Sequence, residues 1–117
     1  RRIQRLEQQG YIRHRVALLN PHKLNVGVTV FVSVRTHEHN NAWMQHFTAV
    51  VTAIPQIVEF YRMSGDVDYL LRVVVPDIKA YDAVYQRLIR EVKLADVSSS
   101  FAMEQIKYTT ALPLNYA

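Results

Sequence analysis

Residues 64–68, Ser-Gly-Asp-Val-Asp, bring two carboxylates and a hydroxyl into one short segment. Gly65 takes a positive φ without steric cost and Asp66 can hydrogen-bond its own backbone, so the segment reads as a hairpin turn. Ser64, Gly65, Asp66 and Asp68 are thereby gathered among exposed backbone N–H groups. Carboxylates that face an ammonium, beside N–H groups that face a carboxylate, are what a small zwitterion requires. The competing reading is architectural, because Asp, Ser and Gly are the residues any tight turn needs.

Three other groupings carry chemistry. Ser98, Ser99 and Ser100 set consecutive hydroxyls in an otherwise β-forming run, where Ser is unusual on propensity grounds. They either ligate something or cross-bond to a neighbouring strand. His37, Glu38 and His39 offer two imidazoles at i, i+2 but no third ligand at a recognised spacing, so a solvated loop is the better reading and no metal is expected. Asn41, Trp43 and His46 lie on or next to one helix and could form a small catalytic site, although Asn41 suits a helix cap and Trp43 the core. The three glycines are isolated, which excludes a Gly-rich phosphate loop.

The elements that position these groups follow from periodicity. Ile57–Met63 and Tyr69–Val75 are β-rich runs on either side of the turn. Before them, Val26–Arg35 alternates with Val26, Val28, Val30, Val32 and Val34 on one face. Asn41–Ile54 is an amphipathic helix stopped by Pro55, with Trp43, Phe47, Val50, Val51 and Ile54 on one stripe. After Pro76, Asp77 is the expected N-cap of a second helix reaching about Lys93. The last strand is predicted as Val97–Tyr108, with Thr109–Ala117 as a tail. The order from Val26 is β-α-β-β-α-β. That predicts an α+β fold of the split βαβ, ferredoxin-like kind: a four-stranded antiparallel sheet with two helices on one face. The other face is left uncovered and apolar, which predicts at least a dimer.

Upstream, Arg1–Gln9 reads as the last turns of a helix that Gly10 stops. The helix lacks an N-cap and is marginal alone, so it reads as the tail of an element that begins outside this chain. Tyr11–Leu19 reads as a strand, and Asn20–Asn25 as a turn or linker. Of the net charge of +4, all is placed in residues 1–15, where five arginines face Glu7; the remaining residues balance. A basic end on a neutral body suggests a nucleic-acid contact there. At 117 residues the chain is one domain with a short extra piece at most, and half its residues are hydrophobic, enough for a core. Without cysteine there is no disulfide, thiolate metal site or cysteine nucleophile. No apolar run approaches the ~20 residues that span a bilayer.

Four stretches in register resemble one family. RRIQRLEQQGYI resembles the end of the recognition helix and start of the hinge strand in the leucine-responsive and asparagine-responsive (Lrp/AsnC) transcriptional regulators. ALLNPHKLNVG resembles their linker, MSGDVDYLLRVVVPD the hairpin of their effector-sensing (RAM) domain, and SSFAMEQIKYTTALPL the last strand and tail of one branch. Two departures stand out. The helix-turn-helix is represented only by its final turns, and Val92-Lys93-Leu94-Ala95 replaces a Pro-Gly turn common in the family. The resemblance implies three parts: residues 1–10 as the end of a recognition helix, 11–25 as hinge strand and linker, and 26–117 as the effector and oligomerisation domain.

It also implies roles. Arg1, Arg2 and Arg5 would contact double-stranded DNA, at phosphates or base edges. A small effector, usually an amino acid, would bind near Gly65–Asp68 in a cleft between neighbouring dimers. Asp68 matches a position tied to effector response. Ser64, Gly65 and Asp66 would supply polar and backbone contacts, Tyr61, Arg62 and Met63 the wall, and Ser98, Ser99 and Ser100 further contacts. The implied protein is a cytoplasmic homo-oligomeric regulator of amino-acid metabolism, with no cofactor and no enzymatic activity. The main alternative is a small dimeric enzyme of the monooxygenase type, since the same architecture hosts such enzymes.

Overall fold

The computed structural model describes residues 1–117 throughout. The elements in order are α1 (Arg2–Gln8), β1 (Val28–Arg35), α2 (Asn41–Thr52), β2 (Ile57–Arg62), β3 (Tyr69–Val75), α3 (Ile78–Glu91) and β4 (Asp96–Phe101). All pairings are antiparallel, and the sheet order is β2-β3-β1-β4. From β1 onward this is the predicted ferredoxin-like βαββαβ sandwich. None of the helices is long and apolar enough to cross a membrane.

Alternation decides which side of the sheet is core. Val30, Val32 and Val34 of β1 and Leu71, Val73 and Val75 of β3 have no exposed surface. They meet Phe47, Val51 and Ile54 from the α2 segment and Tyr81, Val84 and Leu88 from α3. Phe47 lies at the centre of an aromatic cluster, with ring centroids 5.0 Å from Trp43, 5.1 Å from Phe60 and 5.3 Å from Tyr69.

Side chains fix where the helices start. Asp77 accepts from Ala80 N at 2.8 Å and caps α3 as its position predicts. For α2 the cap is Asn40, whose Oδ1 accepts from Trp43 N at 2.8 Å, and Asn41 is the first helical residue. Asn40→Ala will cost about 1 kcal/mol by removing this acceptor; a melting temperature unchanged within error would show that the cap carries no weight. Trp43 Nε1 donates to Lys93 O at 3.0 Å, and His46 Nε2 lies 2.6 Å from Glu91 O. These two residues, singled out for catalysis, tie α2 to the end of α3.

Two strand expectations need correction. Residues 13–19 make no backbone–backbone hydrogen bonds, so Tyr11–Leu19 forms no strand within this chain. The last strand ends at Phe101 rather than Tyr108. β4 pairs only with β1, from Arg35↔Asp96 to Val30↔Phe101, and one more bond joins Ala102 N to Thr29 O at 2.9 Å. β1 begins at Val28, so the tail runs out of partner although its sequence still alternates.

The outer sheet face carries Phe31, Leu70 and Val74 beside a polar trio from β2 and β3. Tyr61 OH donates to a Glu59 carboxylate oxygen, and Arg72 pairs with the other. The Tyr61 bond is the chief reason the Glu59 carboxyl is held below its ordinary value, and the same bond pushes the Tyr61 phenol up. A carboxyl lowered by folding stabilises the fold above its ordinary range and loses that contribution as pH falls through the folded value. The trio therefore helps at neutral pH and is lost in acid.

Candidate effector site at the hairpin turn

Met63 N donates to Asp68 O at 2.8 Å and closes the hairpin. Within it Gly65 adopts φ 111°, a backbone state open to glycine and strained for other residues. Asp68 fastens the turn to the sheet. Its N–H donates to Val34 O at 2.9 Å, and its Oδ2 accepts from Thr36 N at 2.9 Å. The second carboxylate oxygen has no protein partner. Thr36 is itself buried, and its Oγ1 accepts from Glu38 N at 2.9 Å. Asp68, Thr36 and Glu38 thus form one hydrogen-bonded unit at the end of β1.

Two clefts flank this unit. The first, about 340 Å³, lies between the turn and the start of α2. Arg62, Asp68 and Glu38 supply charge to it, and Trp43, Met44 and Met63 supply apolar wall. Glu38 is partly engaged by Lys93 Nζ at 3.4 Å, whereas Arg62 has no acidic partner within the chain. A free guanidinium and a half-free carboxylate beside thioether and indole surface suit a zwitterion with an apolar side chain. The second cleft, about 360 Å³, is lined by Ser33, Arg35, Val67, Asp96, Val97 and Ser98.

The structure gathers some of the sequence-predicted residues and separates others. Arg62, Met63 and Asp68 share the first cleft. Ser64, Gly65 and Asp66 stand exposed at the tip and line neither cleft. Tyr61 pairs across to Leu70 on the outer face, away from Arg62, which pairs with Tyr69. The serine run is split by the pleat: Ser98 lines the second cleft, and Ser99 faces the helices and bonds Tyr81 OH. Ser100 lies opposite Phe31. Four contributors escaped the sequence reading, namely Thr36, Glu38 in this role, Arg35 and Asp96. Only the register of β1 against β4, which pairs Arg35 with Asp96, would have revealed the last two.

At the other end, Arg1, which precedes α1, and Arg2 and Arg5 within it are exposed, and none has an acidic partner in the chain. Arg15 pairs with Glu7 at 3.3 Å.

The chain is a ferredoxin-like sandwich with one sheet face bare of helices and a polar cleft at its hairpin turn. The Lrp/AsnC ligand binding domain matches residues 29–112, most of the chain. The chain is 50% identical over 115 residues to the DNA-binding transcriptional activator DecR of Escherichia coli K12, spanning 97% of this chain and 76% of that protein. An AsnC family transcriptional regulator from Agrobacterium tumefaciens superposes with a TM-score of 0.93 at 65% identity, over 98% of this chain and 75% of that one. A transcriptional regulator from Neisseria meningitidis, solved as a complex with L-Met, superposes with a TM-score of 0.90 at 34% identity, over the same shares. The chain belongs to the Lrp/AsnC family of transcriptional regulators. The regulator reading therefore stands over the enzyme one, and the ties made by Trp43 and His46 are structural.

Proposed function

We propose that this domain binds an amino acid at the first cleft and converts occupancy into a change of assembly in a DNA-binding regulator. The observation that carries the reading is that Arg62, which has no acidic partner in the chain, and Asp68, which has one carboxylate oxygen unbonded, line one cleft. Arg62 takes the effector carboxylate and Asp68 its ammonium, while Trp43, Met44 and Met63 cover the side chain. The relative complexed with L-Met supports this class of ligand. The effector favours one assembly over another by no more than its differential affinity for the two.

Residues 1–10 act as the end of a recognition helix, residues 11–25 as hinge and linker, and 26–117 as the sensing domain. Homo-oligomers form through the bare sheet face, where Phe31 and Tyr61 are 40% and 50% exposed. The protein acts in the cytoplasm, on double-stranded DNA.

A thermal-melt screen against the common amino acids tests the sensing claim. Binding to the folded state at 100-fold over Kd adds about 2.7 kcal/mol, visible as a raised midpoint. One or a few amino acids will raise it and change the assembly size seen by light scattering. No shift with any of them would remove the amino-acid reading. In the DNA-binding protein, Arg2→Ala with Arg5→Ala will lower affinity and flatten the salt dependence by about two phosphate contacts. An unchanged slope would remove the DNA contact assigned to α1.

A further inference from the structure

The first cleft holds more acid than base. Glu38 and Asp68 line it against a single guanidinium, that of Arg62. An amino acid with an uncharged side chain uses one carboxylate for its ammonium and the guanidinium for its carboxylate. One carboxylate is then left over. Counting the His39 ring as neutral, the lining by itself matches a ligand that brings a second cation.

The surplus is met from outside the cleft. Lys93 Nζ lies 3.4 Å from Glu38 Oε1, and Lys93 is not among the lining residues. Its side chain is 84% exposed, so the pair contributes little to folding. The backbone that carries the pair is nevertheless fixed. Val92 N donates to Leu88 O at 3.0 Å, Trp43 Nε1 donates to Lys93 O at 3.0 Å, and Ala95 N donates to Arg35 O at 2.9 Å. Val92 is buried, and Trp43 is a wall of the cleft. On the opposite side, Glu38 N donates to Thr36 Oγ1 at 2.9 Å, and Thr36 N donates to Asp68 Oδ2 at 2.9 Å. Both partners thus hang from main chain tied to the cleft, which keeps the ammonium within reach of Glu38.

Building on the cleft as the effector site, we infer that Lys93 sets the charge class of the effector: it neutralises Glu38 and so biases the cleft against basic amino acids. With Lys93 in place the charges balance, and an effector with an uncharged side chain enters without disturbing the pair. A basic side chain meets the Lys93 ammonium at the one carboxylate left for it. It must displace that ammonium or lie beside a like charge, and an uncharged competitor bears neither cost. The discrimination comes from a charge opposed to the wrong ligand, not from a closer fit to the right one.

L-Lysine and L-norleucine measure the effect, because they share one linear hydrocarbon stem and differ in the terminal ammonium. Calorimetric titration of the whole chain, by competition with the amino acid found in the melt screen, gives the ratio of their affinities. The parent will favour norleucine. Lys93→Met will shift the ratio toward lysine by about fivefold, the scale of an exposed ion pair. Lys93→Arg keeps the charge and will keep the parent's ratio. Adding Glu38→Gln to Lys93→Met will abolish the gain, because the surplus carboxylate is gone. Lys93→Met will melt close to the parent, since the bonds that hold this segment are made by its backbone. A ratio unchanged in Lys93→Met, or a gain that survives the loss of Glu38, would overturn the inference and leave the effector site standing. A parent that prefers lysine would overturn it too. A parent that binds no amino acid in the screen would remove the site and its selectivity together.

Discussion

Phe47→Ala will cost about 3–5 kcal/mol of folding stability. The side chain is fully buried and touches an aromatic ring on three sides, from Trp43, Phe60 and Tyr69. Those rings sit on three different elements, so they cannot all move into the space without breaking the sheet or the helix. The loss comprises the transfer free energy of the ring plus the cavity left behind. Set against a total stability of about 5–15 kcal/mol, it brings the domain close to unfolding. Urea titration gives the value directly, and the slope should stay constant while the midpoint falls. Val58→Ala is the control, since Val58 is 46% exposed beside an irregularity in β2 and will cost little. A loss below about 1 kcal/mol for Phe47→Ala would show that the site collapses freely and the cluster is not rigid.

Asp68→Asn will weaken effector binding by about tenfold or more and leave the fold nearly as stable as before. The carboxylate has two duties. Oδ2 accepts from Thr36 N, and the residue lines the first cleft. Asn keeps an acceptor for Thr36 but removes the charge, and a hydrogen bond to a charged group contributes about 1.5–3 kcal/mol. Asp68→Ala removes both duties. It leaves the Thr36 N–H without its acceptor at a buried position, so it will lose stability as well, by about 1–3 kcal/mol. Calorimetric titration with the amino acid found in the melt screen, together with urea unfolding of both variants, separates the two roles. Full-strength binding by Asp68→Asn would remove Asp68 from the site. An Asp68→Ala chain as stable as the parent would remove its structural duty.

Much of the fold was legible because its signals are local. The two-residue alternation of Val28 to Val34, the helical stripe through Phe47 and Val51, and Asp77 at the head of α3 each act within a few residues. The tail misled because alternation states only that a strand can form. Whether Ile106 and Tyr108 lie in a ladder depends on a partner that β1 does not supply within one chain. The same limit explains Tyr11–Leu19. For the site, the turn chemistry of Gly65 and Asp68 could be read directly, and Arg62, Met63 and Asp68 do meet in one cleft. The pleat undid the rest. Neighbours in sequence point to opposite faces, so Tyr61 left Arg62, and Ser99 left Ser98. Thr36 and Glu38 enter through a contact spanning 32 residues, which no local pattern encodes.

The irregularity at Val58 acquires meaning beside the unpaired tail. A sheet with two open edges can stack without limit, and a protein with such edges is a seed for fibres. Here the β2 edge is interrupted between Ile57 and Glu59 and carries a carboxylate, while the β4 edge leads into the apolar tail. One margin is blunt and the other adhesive. Growth of a ladder from copy to copy is thereby disfavoured at the β2 edge.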